Sequence, residues 1–313
     1  MKNKISAVVL MLLLAAFFSP DALQASGRLN AAATTTSLAD IAGQVGKEKI
    51  TVYAIASPKQ DIHHYAPTPK DVLKVRKADV LIHEGLDLEA WRQPLIDAAG
   101  NMRFLGQDQA NVIDASRGIT LLEIPASLSR SEGDIHAFGN PHYIAGPENA
   151  GIIARTIAEQ LAQISPEDAE YFRKNAEDFN RRLDEKMKEW KERLAPFRGA
   201  PVVTYHRSWS YFAKAFGLEI TGEIEPKPGI PPTARHLSEL MQTIREKRVK
   251  VIIREPFEDS SAPARVAEQT GAQVVTLSQA VGEPKSAKDY IGMMDENVQA
   301  LEAALKRGSE QHG

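Results

Sequence analysis

The sequence predicts an α/β protein of two βα lobes with parallel sheets, joined by one long rigid helix. Three observations lead there. Short apolar segments alternate with amphipathic ones in both halves of the 313-residue chain, the pattern of strands linked by crossover helices. One apolar stripe, Phe172, Ala176, Phe179, Leu183, Met187, Trp190 and Leu194, recurs at steps of three and four on an otherwise heavily charged stretch, as a single long surface helix requires. The length suits one large or two medium domains, each able to bury a core.

Taken in order, residues 1–25 read as a signal peptide. Lys2 and Lys4 precede an apolar run from Ile5 to Phe18, and Ala22 or Ala25 offers a small residue for cleavage. A first lobe is expected over 26–164, a linking helix over 165–197 and a second lobe over 198–313. The first lobe opens on an Ala/Thr-rich stretch at 28–37, then a helix-like 38–42 and a strand at 49–56. Thr68 as N-cap, Pro69 at the first helical position and Asp71 three residues after the cap specify a helix start, and that helix runs to 78. Strands are expected at 79–83, 102–105 and 111–113. Residues 122–139 lack periodicity and carry Pro125, Gly133 and Gly139, which predicts a long loop. Pro147 opens a helix to about 164. Ser165, Pro166, Glu167 and Asp168 supply a cap, a first-turn proline and two acids at the positive end of the next helix dipole. At about 1.5 Å per residue the linking helix would reach roughly 45 Å. The second lobe repeats the alternation, with strands at 201–205, 218–224, 249–254 and 273–277, and a last helix at 289–305.

Composition narrows the function. The formal charge is −3, and removing Lys2, Lys4 and Asp21 with the leader takes it to −4, so nucleic acid is not an expected partner. The absence of cysteine rules out disulfides, thiolate metal sites and a cysteine nucleophile. It also removes the residue that would carry a lipid anchor, so the expectation is a soluble periplasmic protein. No stretch after the leader is apolar and long enough to span a bilayer.

Candidate ligands share one context. His63 lies on a loop stiffened by Pro67 and Pro69, between a strand and a helix; His206 and Glu255 each follow a strand; His142 stands just before a helix. In open α/β sheets ligands bind beyond the carboxyl ends of strands. Two of these residues come from each half, so a metal held by them would sit in the cleft between lobes. Three neutral imidazoles and a carboxylate fill a tetrahedral zinc sphere, and imidazole-rich ligation suits zinc, copper or nickel better than manganese or calcium.

Three runs carry a resemblance. Asp61-Ile62-His63-His64-Tyr65-Ala66-Pro67-Thr68-Pro69-Lys70-Asp71, then Gly139-Asn140-Pro141-His142-Tyr143, then Thr204-Tyr205-His206-Arg207-Ser208-Trp209-Ser210-Tyr211-Phe212 resemble in order the metal-contacting motifs of the periplasmic zinc and manganese binding proteins of ABC transporters, the cluster A-I group. The resemblance covers essentially the whole mature chain. It implies two lobes around a buried ion with His63, His142 and His206 as ligands, His64 falling on a variable position. It also implies Zn(II) as cargo, with Mn(II) the alternative, and an ABC permease in the inner membrane as partner of a monomeric binding protein. Many members carry an acidic fourth ligand after the last core strand, where this chain has Gln279; Glu255, Gln279 and water are the candidates for that position. Zinc members often carry a long His-rich loop between the first two ligands, whereas 122–139 contains only His136. His64 and His136 are expected as exposed loop residues with transient metal contact, and His83 near the cleft.

The rival reading is an exported zinc-dependent hydrolase, since three ligands and an open position also describe a catalytic site. No HExxH or similar base-bearing motif supports it. An adhesin or metallochaperone with the same lobes is a third class.

Overall fold

The computed structural model describes residues 27–105, 109–125, 136–227 and 229–310; the expected leader at 1–25 lies outside them, as does the middle of the expected loop at 122–139. Among the described residues the strands form two four-stranded parallel sheets. β1 (Leu29–Ala33), β2 (Ile50–Ala54), β3 (Val80–His83) and β4 (Val112–Asp114) lie in the order β2-β1-β3-β4. β5 (Pro201–Thr204), β6 (Glu219–Glu223), β7 (Val251–Arg254) and β8 (Gln273–Thr276) repeat that topology as β6-β5-β7-β8. The helices of the first half are α1 (Thr36–Gly46), α2 (Pro69–Lys77), α3 (Arg92–Ala99) and α4 (Pro147–Ile164). Then come the long α5 (Ala169–Leu194) and, in the second half, α6 (Ser210–Phe216), α7 (Ala234–Glu246), α8 (Ser261–Thr270) and α9 (Tyr290–Glu310).

Local chemistry sets the boundaries. The predicted start of α2 is a full capping box: the Asp71 amide donates to the Thr68 hydroxyl, and the Asp71 carboxylate accepts from the Thr68 amide at 2.6 Å. All seven stripe residues of α5 are buried. The α-helix begins four residues later than Ser165, because Pro166–Asp168 forms a 3-10 turn closed by the Ser165 hydroxyl on Asp168 at 3.2 Å. A second such turn, Ala195–Phe197, ends it.

Two sequence expectations are corrected. The Ala/Thr-rich opening contains β1, a central strand paired with both β2 and β3, where Ala31, Ala32 and Ala33 are buried and leave room for layers on both faces. Residues 102–105 are not a strand. The Asn101 side chain donates to the Val75 and Ala78 carbonyls at 2.9 and 2.8 Å and accepts from the Arg103 amide at 3.1 Å, closing a turn there.

One apolar core runs through both halves, from Ala33 and Ile82 across α1, α4 and α5 to Phe212, Ile253 and Leu301. Smaller cores lie on the outer faces, around Val75, Leu95 and Phe104 and around Leu240, Ile244 and Val266. Polar ties reinforce the join. The Trp190 indole donates to Asp295 at 2.6 Å, Arg193 holds Glu302 at 2.7 Å, and the Asn175 amide reaches the Val45 carbonyl at 2.9 Å. The Ser37 hydroxyl donates to the Gln279 carbonyl at 2.6 Å and the Tyr290 hydroxyl to the Ile144 carbonyl at 2.7 Å. The loops that follow β2, β3, β5, β7 and β8 line a shared cavity of about 440 Å³ at the carboxyl ends of both sheets, the place where ligands bind in this architecture.

Candidate metal centre

Each histidine is aimed by its neighbours. The His63 backbone amide and Nδ1 both lie on Asp61 Oδ1, at 2.9 and 3.1 Å, and the Trp91 indole pins the Ile62 carbonyl at 2.7 Å. A carboxylate can only accept, so it holds the imidazole proton on Nδ1 and keeps the lone pair of the neutral ring on Nε2, the nitrogen turned toward the other rings. Burial works to raise the Asp61 carboxyl, and the bond and charge of His63 outweigh it and hold the group low. His206 has the same device: Nδ1 lies 2.8 Å from Glu225 Oε2. His142 is buried, its amide donates to Asn140 Oδ1 at 2.9 Å, and its Nε2 has no protein partner. Burial, reinforced by the neighbouring imidazoles, keeps His142 well below the usual imidazole range and therefore neutral.

The three rings converge. Their centroids are 5.0 Å apart for His63 and His142, 5.4 Å for His63 and His206, and 5.1 Å for His142 and His206. One nitrogen from each lies within 4.8 Å of the others. Donors about 2.1 Å from a tetrahedral ion stand roughly 3.4 Å apart, so side-chain shifts of about 1 Å would close them onto one. Among the described residues this is the one group of three or more His, Cys, Asp and Glu side chains close enough to hold a metal.

Asn140 sets the spacing across the cleft. Besides receiving the His142 amide, its side-chain nitrogen donates to Glu123 at 2.9 Å and to the Arg207 carbonyl at 2.8 Å. A residue two before His142 is thus tied to the residue that follows His206.

Glu255 lines the cavity but stands outside the triad, and its Oε1 accepts from Gln279 Nε2 at 3.0 Å. Burial pushes the Glu255 carboxyl up. The same Gln279 nitrogen donates to the Ser208 carbonyl at 3.2 Å. His64 is exposed, its ring 6.2 Å from that of His63. His83 is buried in a separate cavity with Arg92 and Asp114. His136 departs from expectation: it is half-buried, with Nε2 3.1 Å from His63 Nε2. No spacing rule would have placed it there. Glu225 was not readable from strand periodicity: continuing the pairing of Val202 with Ile220 would set Ile224 beside His206, and a register shift between Val202 and Thr204 pairs Thr204 with Glu223 and brings Glu225 there instead.

Residues 32–304 match the profile of ZnuA, the zinc-uptake complex component A, periplasmic. The chain belongs to the ZnuA family. These are substrate-binding components of metal ABC importers, not enzymes, which leaves the hydrolase reading without support. The chain is 28% identical over 290 residues to the manganese ABC transporter substrate-binding lipoprotein PsaA of Streptococcus anginosus, covering 90% of each chain. It is 26% identical to the high-affinity zinc uptake system protein ZnuA of Bacillus subtilis (strain 168), covering 89% of this chain and 88% of that one. A ZnuA crystal structure superposes with a TM-score of 0.75 at 24% identity, covering 88% of this chain and 98% of that one. As in other ZnuA-family folds, two parallel sheets with flanking helices are joined by a long helix, here the helical run 166–197.

The Glu225 contact yields a first prediction. Glu225→Gln keeps the shape of the side chain but loses the charge that holds the His206 proton, so metal affinity should fall about 10- to 100-fold with an unchanged melting temperature of the unloaded protein. Chelator competition measures it, and unaltered affinity would show that the contact does not tune the ligand.

Proposed function

We propose that this protein captures Zn(II) between its lobes and delivers it to an ABC permease in the inner membrane, acting as a monomer in the periplasm. The observation that carries the reading is the convergence of His63, His142 and His206, with one nitrogen of each within 4.8 Å of the others. All three donors are borderline nitrogen ligands, the set that suits zinc. All come from one chain, so the site needs no second copy.

The fourth position favours zinc as well. Ser208 and Glu255 both accept from Gln279 Nε2, which fixes the orientation of the amide. Its Oε1 lacks a protein donor among the described residues, and Gln279 lines the same cavity as the triad. We assign that oxygen as the fourth donor and Glu255 as the group that holds the amide in place. A site of three imidazoles and a neutral amide lacks the anionic oxygen that manganese prefers.

Metal analysis of protein isolated from its own periplasm tests the capture reading; one equivalent of zinc is expected, and protein free of transition metal would overturn it. Gln279→Asp tests the selectivity. It should raise manganese affinity relative to zinc by about tenfold or more, as an added carboxylate ligand implies. Paired titrations with the two ions measure the ratio, and an unchanged ratio would remove Gln279 from the coordination sphere.

A further inference from the structure

The His136 contact has no place in the triad, and its geometry is specific. Asp61 Oδ1 lies 3.1 Å from His63 Nδ1 and holds the single proton of the neutral ring there, so in this form, the one that can bind metal, His63 Nε2 is an acceptor. The group 3.1 Å from that nitrogen is His136 Nε2, which must therefore carry a proton and donate it. A nitrogen that donates a hydrogen bond has no lone pair left for a metal. The hydrogen bond and a coordination bond thus compete for one lone pair on His63.

The ring of His136 is also off the focus of the site. It lies 5.2 Å from His63 but 6.1 Å from His142, and it makes no ring contact with His206, whereas the three triad rings are mutually 5.0 to 5.4 Å apart. Its backbone belongs to a short turn in which the Gly139 amide donates to the His136 carbonyl at 3.3 Å. The turn is anchored one residue later, where the Asn140 amide meets the Leu122 carbonyl at 2.8 Å. Breaking the contact requires only a rotation of the His136 side chain, with those two backbone bonds kept.

We infer that His136 is an internal competitor for the ion: its Nε2–H caps the lone pair of His63, and zinc enters by displacing it. This rests on the capture reading above. A ligand role and a capping role predict opposite signs. If His136 caps, His136→Ala removes one hydrogen bond that zinc must otherwise break, and capture of zinc sulfate in stopped flow should become about three- to tenfold faster, with the dissociation constant tighter by a similar factor, as the net worth of one such bond implies. Slower capture or weaker binding would overturn the cap and make His136 a ligand.

Two further measurements use the same protein. His64→Ala, which removes an exposed imidazole outside the triad, should leave the capture rate unchanged; an equal acceleration would overturn the specific role of His136. In histidine-labelled protein loaded with cadmium-113, couplings to ¹⁵N are expected from His63, His142 and His206, and a coupling to His136 would overturn the proposal. Failure of the unaltered protein to take up one equivalent of zinc would instead remove the capture reading, and this inference with it.

Discussion

Replacing His142 by alanine should weaken zinc binding by about 10² to 10³-fold, the largest loss expected from any single change in the site. Apparent binding energies of structural zinc, about 10–16 kcal/mol shared among four donors, leave roughly 2.5 to 4 kcal/mol for each. His142 should reach the upper part of that range. It is buried, held neutral and positioned through Asn140. Chelator competition gives the affinity, and the rise in melting temperature on adding zinc should nearly vanish. Affinity retained within a few-fold would mean that the ion does not bind where the three rings meet.

Trp190→Ala should have the largest effect on stability. Trp190 is fully buried on α5 in the core common to both lobes, and its indole nitrogen donates to Asp295 at 2.6 Å. Truncating a buried aromatic of this size costs about 3–5 kcal/mol, which for a chain of this length lowers the melting temperature by about 10 °C. Trp190→Phe keeps most of the apolar contact and loses the hydrogen bond, so it should cost only about 1–2 kcal/mol. A loss below about 1 kcal/mol for the alanine variant would show that the core around α5 can collapse onto the gap.

The parts of this fold that were legible in the sequence are those whose signal is periodic or local. The stripe from Phe172 to Leu194 can form only one face of a helix, and Thr68, Pro69 and Asp71 write their own cap. β1 was not legible because an Ala-rich segment has little strand preference of its own; Leu29–Ala33 is a strand because β2 and β3 pair with it on either side. The triad could be anticipated because its members follow strands or precede helices, positions that a parallel sheet gathers at one edge. Their orienting partners divide by distance in sequence. Asp61 lies two residues from His63, whereas Glu225 reaches His206 only through the pairing of β5 with β6. The place of His136 depends on a turn that no local pattern announces.

The apolar core shared by the two halves also bears on how cargo is chosen and surrendered. Because Ile82, Trp190 and Leu301 belong to one packed interior, the gap between the sheets is preset, like the setting of a calliper rather than the bite of a jaw. Ions are then expected to be sorted by what the preset gap and its donors accept, and release to come from short segments at the rim rather than from a swing of one half. Hydrogen exchange across the shared core that is the same with and without metal would bear this out, and a large increase on metal removal would overturn it.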